Sequence, residues 1–160
     1  MKNLTLKIVS GGQTGVDLGA LKAAKKVGIA TGGCLPKGCK TEDGIDLSLK
    51  VRYSMYESTK SDYKDRTEQN VRKTDATVIL TGVKSRGSDL TKKICEKFEK
   101  EYVLVDINDL DASEKIVNFV QEIFNKKCRK IILNVAGNRE SKYPGIENKT
   151  MEILEKCFSK

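Results

Sequence analysis

Three glycines and three hydrogen-bonding side chains stand together near the start of the chain: Gly11, Gly12, Gln13, Thr14, Gly15 and, two residues on, Asp17. They follow an apolar run, Leu4 to Ser10, and precede an amphipathic one. Glycines at a strand-to-helix junction let the backbone turn sharply and let a ligand approach the main chain. The free amides of a following helix make an anion site. The spacing matches neither the dinucleotide fingerprint nor the P-loop, so the chemistry expected here is phosphate binding by backbone amides, with Gln13 and Thr14 as extra donors. The same residues also suit a tight structural turn. Asp17 suits either a helix-start carboxylate or a partner for a ligand hydroxyl or amine.

Three more clusters carry polar chemistry. Lys37, between Pro36 and Gly38, suits a phosphate contact, and Glu42-Asp43 suits acid–base work, although no partner for it is visible. Arg66 and Asn70 are four apart on a helical stretch and share a face. Gly137, Arg139, Glu140 and Ser141 follow a strand and suit a polar ligand wall. The chain has no histidine, and no serine or cysteine has a recognisable base, so no catalytic residue is assigned.

The elements that must position these residues alternate. Strands are expected at Leu4–Ser10, Ile29–Thr31, Ala76–Thr81, Tyr102–Asp106 and Lys130–Val135. Helices are expected at Val16–Val27, Arg66–Lys73, Leu90–Glu99, from Asp111 onward through Ile116, Val120 and Phe124, and at Gly145–Phe158. Residues 32–52 read as a long loop, which in a compact domain is usually functional. Five β-α repeats predict one α/β domain over residues 1–160: a Rossmann-like three-layer sandwich with a mainly parallel central sheet. Ligands of such sheets sit beyond the carboxyl ends of the strands. That singles out the loops at 11–15, 82–89 and 136–143.

Composition narrows the partners. Thirty Lys and Arg against 22 Asp and Glu give a net charge of +8, which attracts anions. No basic run of five or more appears, and the aromatics are not interleaved with arginines, so nucleic acid is not expected. No apolar run approaches the roughly 20 residues of a membrane-spanning helix, and the start does not read as a signal peptide. A cytoplasmic protein with no membrane partner is expected. The five cysteines, Cys34, Cys39, Cys95, Cys128 and Cys157, include no C-x-x-C and read as reduced thiols. No metal site is expected.

The ordered set resembles the molybdenum carrier family, relatives of the molybdenum cofactor carrier protein within the Rossmann-like group that includes the lysine-decarboxylase-like nucleotide phosphoribohydrolases. The stretches that carry the resemblance are Gly11 to Asp17 with Gly19-Ala20-Leu21, Thr31-Gly32-Gly33, Pro36-Lys37-Gly38, Glu42-Asp43-Gly44, Arg66-Thr67, Asn70-Val71, Asp75-Ala76-Thr77, Asn134 to Gly137, Arg139-Glu140-Ser141 and Pro144-Gly145-Ile146. Together they span nearly the whole chain. Asn138 stands where a proline is expected, and Ser88 where a threonine is usual. The resemblance implies a carrier for the molybdenum cofactor or a nucleotide, with phosphate on Gly11–Gly15 and on Gly87-Ser88 near Thr91. Lys37, Arg66 or Arg139 would add charge. It also implies a homo-oligomer, dimer or tetramer. Two alternatives are a nucleotide-processing hydrolase and a nucleotide-sensing regulatory module. The hydrolases' P-G-G-x-G-T-x-x-E pattern is absent.

Overall fold

A computed structural model describes residues 5–127 and 130–159. Cys128 lies outside the described residues. In chain order the elements are β1 (Leu6–Val9), α1 (Val16–Lys26), β2 (Ala30–Gly32), β3 (Cys34–Leu35), β4 (Lys40–Thr41), β5 (Gly44–Ile45), α2 (Ser48–Arg52), β6 (Tyr56–Glu57), α3 (Tyr63–Arg72), β7 (Ala76–Thr81), α4 (Arg86–Lys97), β8 (Glu101–Asp106), α5 (Ala112–Lys127), β9 (Ile131–Gly137) and α6 (Ile146–Phe158).

Five strands form one sheet in the order β2-β1-β9-β7-β8, and every pairing in it is parallel. Strand residues pointing to one face, such as Ile8, Val78, Leu80, Leu133 and Val135, pack under α1, α5 and α6. On the other face lie α3 and α4, which share a smaller cluster of Val71, Ile94 and Cys95. The result is the expected Rossmann-like three-layer sandwich. Helix α1 leaves β1 toward the first face and α4 leaves β7 toward the second. The strand between them, β9, therefore ends beneath a crevice, the usual ligand position of open α/β sheets.

Glycines shape the close approaches. A Cβ on Gly19 would press on the Glu147 carbonyl of α6, so this glycine lets α1 and α6 pack tightly. Gly28, with φ of 77°, ends α1 in the left-handed conformation that favours glycine.

Two expectations are corrected. Residues 32–52 are not a plain loop: they hold β3, the β4–β5 hairpin and α2. Leu35, Cys39, Leu49, Tyr53 and Met55 bury against Leu21 of α1. At roughly 1.5–3 kcal/mol for each large side chain buried, that is enough to hold the segment down without long strands. Helix α4 starts at Arg86, four residues before the expected Leu90. Ser85 is its N-cap and accepts from the Ser88 amide, so Gly87 and Ser88 form the first helical turn rather than a loop.

Candidate functional site

The glycine loop is closed by the chain's own carboxylate. Asp17, in the first turn of α1, accepts from the Gln13 amide at 3.3 Å and from Arg66 Nη1 at 3.1 Å, and the Gly11 amide also favours its charged form. The Thr14 amide donates to Gln13 Oε1 at 3.0 Å, and the Val16 amide donates to the Asn138 carbonyl at 3.1 Å. Within Gly11–Gly15 the Gln13 and Thr14 amides are spent on protein acceptors, and Asp17 places the chain's own anion at this helix start. The glycines are needed for packing. A Cβ on Gly11 would collide with the Arg66 guanidinium, and one on Gly15 with the Asn138 carbonyl. Burial pushes the Asp17 carboxyl above its ordinary range, opposed by Arg66 and by the Gln13 and Gly11 amides.

Beside this closed loop, over the end of β9, lies a cleft of about 560 Å³, within the usual range for small-molecule sites. Its floor is Gly11, Gln13, Asp17, Asn134, Ala136 and Gly137. One wall is α3, with Tyr63, Arg66, Thr67 and Asn70, and the other is Lys84 to Gly87 with Leu90 and Thr91 of α4. Arg139 and Lys142 reach in from the loop after β9. Five cations (Arg66, Lys84, Arg86, Arg139 and Lys142) thus face one carboxylate, Asp17, which Arg66 already neutralises. Among the described residues the Arg86 and Gly87 amides have no protein acceptor, so α4 offers free amides to this crevice, with no carboxylate of its own among the cleft-lining residues.

The remaining expected residues divide between the cleft and its supports. Asn70 lines the cleft, but its carboxamide holds β3, accepting from the Cys34 amide at 2.8 Å and donating to the Cys34 carbonyl at 3.1 Å. Thr91 also lines it and donates to the Gly87 carbonyl at 3.1 Å. Gly12 and Thr14 border a second, shallower cavity of about 260 Å³ with Asp43 and Asp46. Glu42 is a latch: it accepts from the Thr14 hydroxyl and from both the amide and the hydroxyl of Ser141. Arg139 stands 3.8 Å from it. Burial pushes the Glu42 carboxyl up, but the Ser141 and Thr14 bonds with the Arg139 charge outweigh it and hold the group below its ordinary value. Glu140 accepts from the Gly145 and Glu147 amides and so caps α6. Lys37 is exposed and lies outside both cavities. Its amide donates to the Lys60 carbonyl and that of Gly38 to Glu57, so the pair is not brought to the cleft. Ser88 and Gly15 sit behind the cleft wall rather than on it.

Sequence reasoning singled out the loops that hold Lys84, Ser85, Arg86 and Lys142 and the strand end at Asn134 without naming these as site residues, and it missed Tyr63. A signal was present for the α4 group: Ser85, three residues before Ser88, is a helix-cap type at capping distance. Burial raises the thiols of Cys34, Cys39 and Cys95, and pushes that of Cys157 up to about 11, which works against thiolate chemistry. Among the described residues no cluster of metal-ligating side chains occurs, and no helix is long and apolar enough to cross a membrane.

A parallel α/β sheet with a basic cleft at its switch point places the chain in the Rossmann-like class of three-layer folds. The sequence profile of the circularly permuted YpsA SLOG family matches residues 8–158, and the chain belongs to that family. A solved structure of a "putative molybdenum carrier protein" from Syntrophus aciditrophicus is 35% identical, with a TM-score of 0.83 over 98% of this chain and 96% of that one. This bears out the resemblance to the molybdenum carriers. Among the curated proteins, none matches the chain.

Proposed function

We propose that the protein is a binding or carrier protein for a phosphate-bearing small molecule held in the cleft over β9. Its cargo would be the molybdenum cofactor or a nucleotide. The observation that carries this is the charge of the cleft: Arg66 pairs with its one carboxylate, and four further cations, Lys84, Arg86, Arg139 and Lys142, line it. Charges gathered in a cleft with low-dielectric walls raise local anion concentration. The phosphate sits against the first turn of α4, where the Arg86 and Gly87 amides and the Lys84 and Arg86 side chains provide donors. Arg139 and Lys142 close over it, and Tyr63, partly exposed at the mouth, offers a face for a planar ring. The structural neighbour's description supports the molybdenum-cofactor cargo.

Asp17 is the one feature that favours hydrolysis, because a buried carboxylate in a cleft is a common catalytic group. Here its hydrogen bonds go to Arg66 and to the backbone, which suits a structural role better. We place the protein in the cytoplasm as a dimer or tetramer. Native mass spectrometry of gently purified protein tests cargo and oligomeric state together: a bound phosphate ester is expected, and a protein that carries none and binds no added nucleotide contradicts the carrier reading. Incubation with nucleoside monophosphates should release no free base. Turnover that disappears in Asp17→Asn or Glu42→Gln would install the hydrolase instead.

A further inference from the structure

The junction between β7 and α4 hangs on one side chain. Asn138 is 1% exposed. Its Oδ1 accepts from the amides of Gly82 at 2.8 Å and Val83 at 3.2 Å. Its Nδ2 donates to the Val83 carbonyl at 3.0 Å and to Ser85 Oγ at 3.1 Å, with Ser88 Oγ at 3.4 Å. The amides can only donate and the carbonyl can only accept, so the orientation of the carboxamide is fixed. Ser85 Oγ also accepts from the Ser88 amide at 3.2 Å. A hydroxyl has two acceptor positions and one proton. With both positions filled, the Ser85 proton goes to Ser88 Oγ, 2.9 Å away. Ser85 lines the cleft but has no lone pair left to offer a ligand.

We infer that Asn138 is a positioning residue: by saturating the Ser85 hydroxyl it removes the Ser85 acceptor from the end of the cleft at the α4 start, and so favours a fully deprotonated phosphate there. This rests on the anion reading of the cleft. A singly protonated phosphate carries an O–H that needs an acceptor, and a phosphate seated on the Arg86 and Gly87 amides beside a saturated Ser85 finds none in that hydroxyl. A phosphate dianion and sulfate carry no such proton. The charged groups around this end are Lys84, Arg86 and Asp89 on its own segment, Arg139 and Lys142 after β9, Arg66 of α3 and Asp17 of α1. Sulfate meets the same groups, so the ratio of phosphate-ester to sulfate affinity cancels their titration and reports the ligand's own proton.

The test measures dissociation constants for adenosine monophosphate and for inorganic sulfate from pH 5 to 7. With a second phosphate pKa near 6, the wild-type ratio should fall about tenfold from pH 7 to pH 5. Asn138→Ala frees a lone pair on Ser85 and should cut that fall to less than about threefold. Adding Ser85→Ala removes the lone pair and should restore the steep fall, a rescue that a merely structural role would not give. A neutron structure of the unaltered protein serves even where the variants do not fold, and should place the Ser85 deuteron toward Ser88. An Asn138→Ala ratio with the wild-type slope, a pH-independent wild-type ratio, or a Ser85 deuteron directed into the cleft overturns the inference. A wild-type protein that binds neither anion overturns the anion reading itself, and this inference with it.

Discussion

Two helix starts flank the same crevice, and they are built in opposite ways. At α1 the strand ends in glycines, the first turn holds Asp17, and the amides of Gln13, Thr14 and Val16 turn to protein acceptors. At α4 the junction holds Lys84, Ser85, Arg86 and Gly87, and the first two helical amides face the cleft. The glycine-rich start is occupied by the chain's own carboxylate, whereas the Arg86 and Gly87 amides of the ordinary-looking one are free of protein acceptors among the described residues. Glycine at a strand end reports close approach, but what approaches at α1 is Arg66 and the loop after β9, not a ligand. Both starts carry an acidic residue in the first turn, Asp17 in α1 and Asp89 in α4. Asp17 lines the cleft and accepts from the Gln13 amide and Arg66, while Asp89 lies outside the cleft lining. It is therefore at α1 that the chain itself supplies the negative charge a helix N-terminus favours.

The sharpest contrast is between Gly15 and Gly87. Gly15 has φ of 79° and no room for a Cβ, whereas Gly87 has helical geometry and open space beside it. Gly15→Ala should cost about 3–5 kcal/mol and leave little soluble protein. Gly87→Ala should raise stability by up to about 1 kcal/mol while weakening phosphate binding, because its methyl group occupies the ligand's side. Urea unfolding with parallel binding assays checks both, and equal destabilisation would erase the distinction between the two starts.

Next comes the internal anion. Asp17→Ala strands a buried guanidinium and the Gln13 amide, and should destabilise the fold by about 3–5 kcal/mol. If its urea midpoint matches the wild type, Asp17 does not close the loop. On the open side, Arg86→Ala should weaken adenosine monophosphate binding roughly tenfold, or about 1.4 kcal/mol, and flatten its salt dependence. Lys37→Ala should change neither. The reverse ranking in a calorimetric titration would return the phosphate to the long segment.

The smallest effect is the latch. The Glu42 carboxyl is depressed in the fold, so its contribution is present above the unfolded carboxyl's value, about 4.3, and is lost as pH falls through the lower folded value. Glu42→Gln should therefore remove about 1 kcal/mol at neutral pH and shrink the difference from wild type below pH 4. Melting curves from pH 3 to 7 read this directly, and a constant offset across that range counts against the latch.

The sheet, its parallel sense and its layers were legible because alternating apolar periodicity is a local signal. The shared face of Arg66 and Asn70 was legible for the same reason, and both are buried beside the cleft. Residues 32–52 were not, since two-residue strands carry no periodicity and are held by contacts with Leu21 that lie far off in sequence. The identity of the open helix start was also hidden. Gly87 masked the first turn of α4, and whether Asp17 faces a ligand or Arg66 depends on a partner 49 residues away.

The central claim is that ligand phosphate meets α4 and not α1. Amide chemical shifts of isotope-labelled protein titrated with adenosine monophosphate test it most directly. Shifts led by Arg86 and Gly87, with the amides of Gly11, Gln13 and Thr14 nearly still, are the expected result. Shifts centred on Gly11 to Gly15, with Gly87 unmoved, would contradict it.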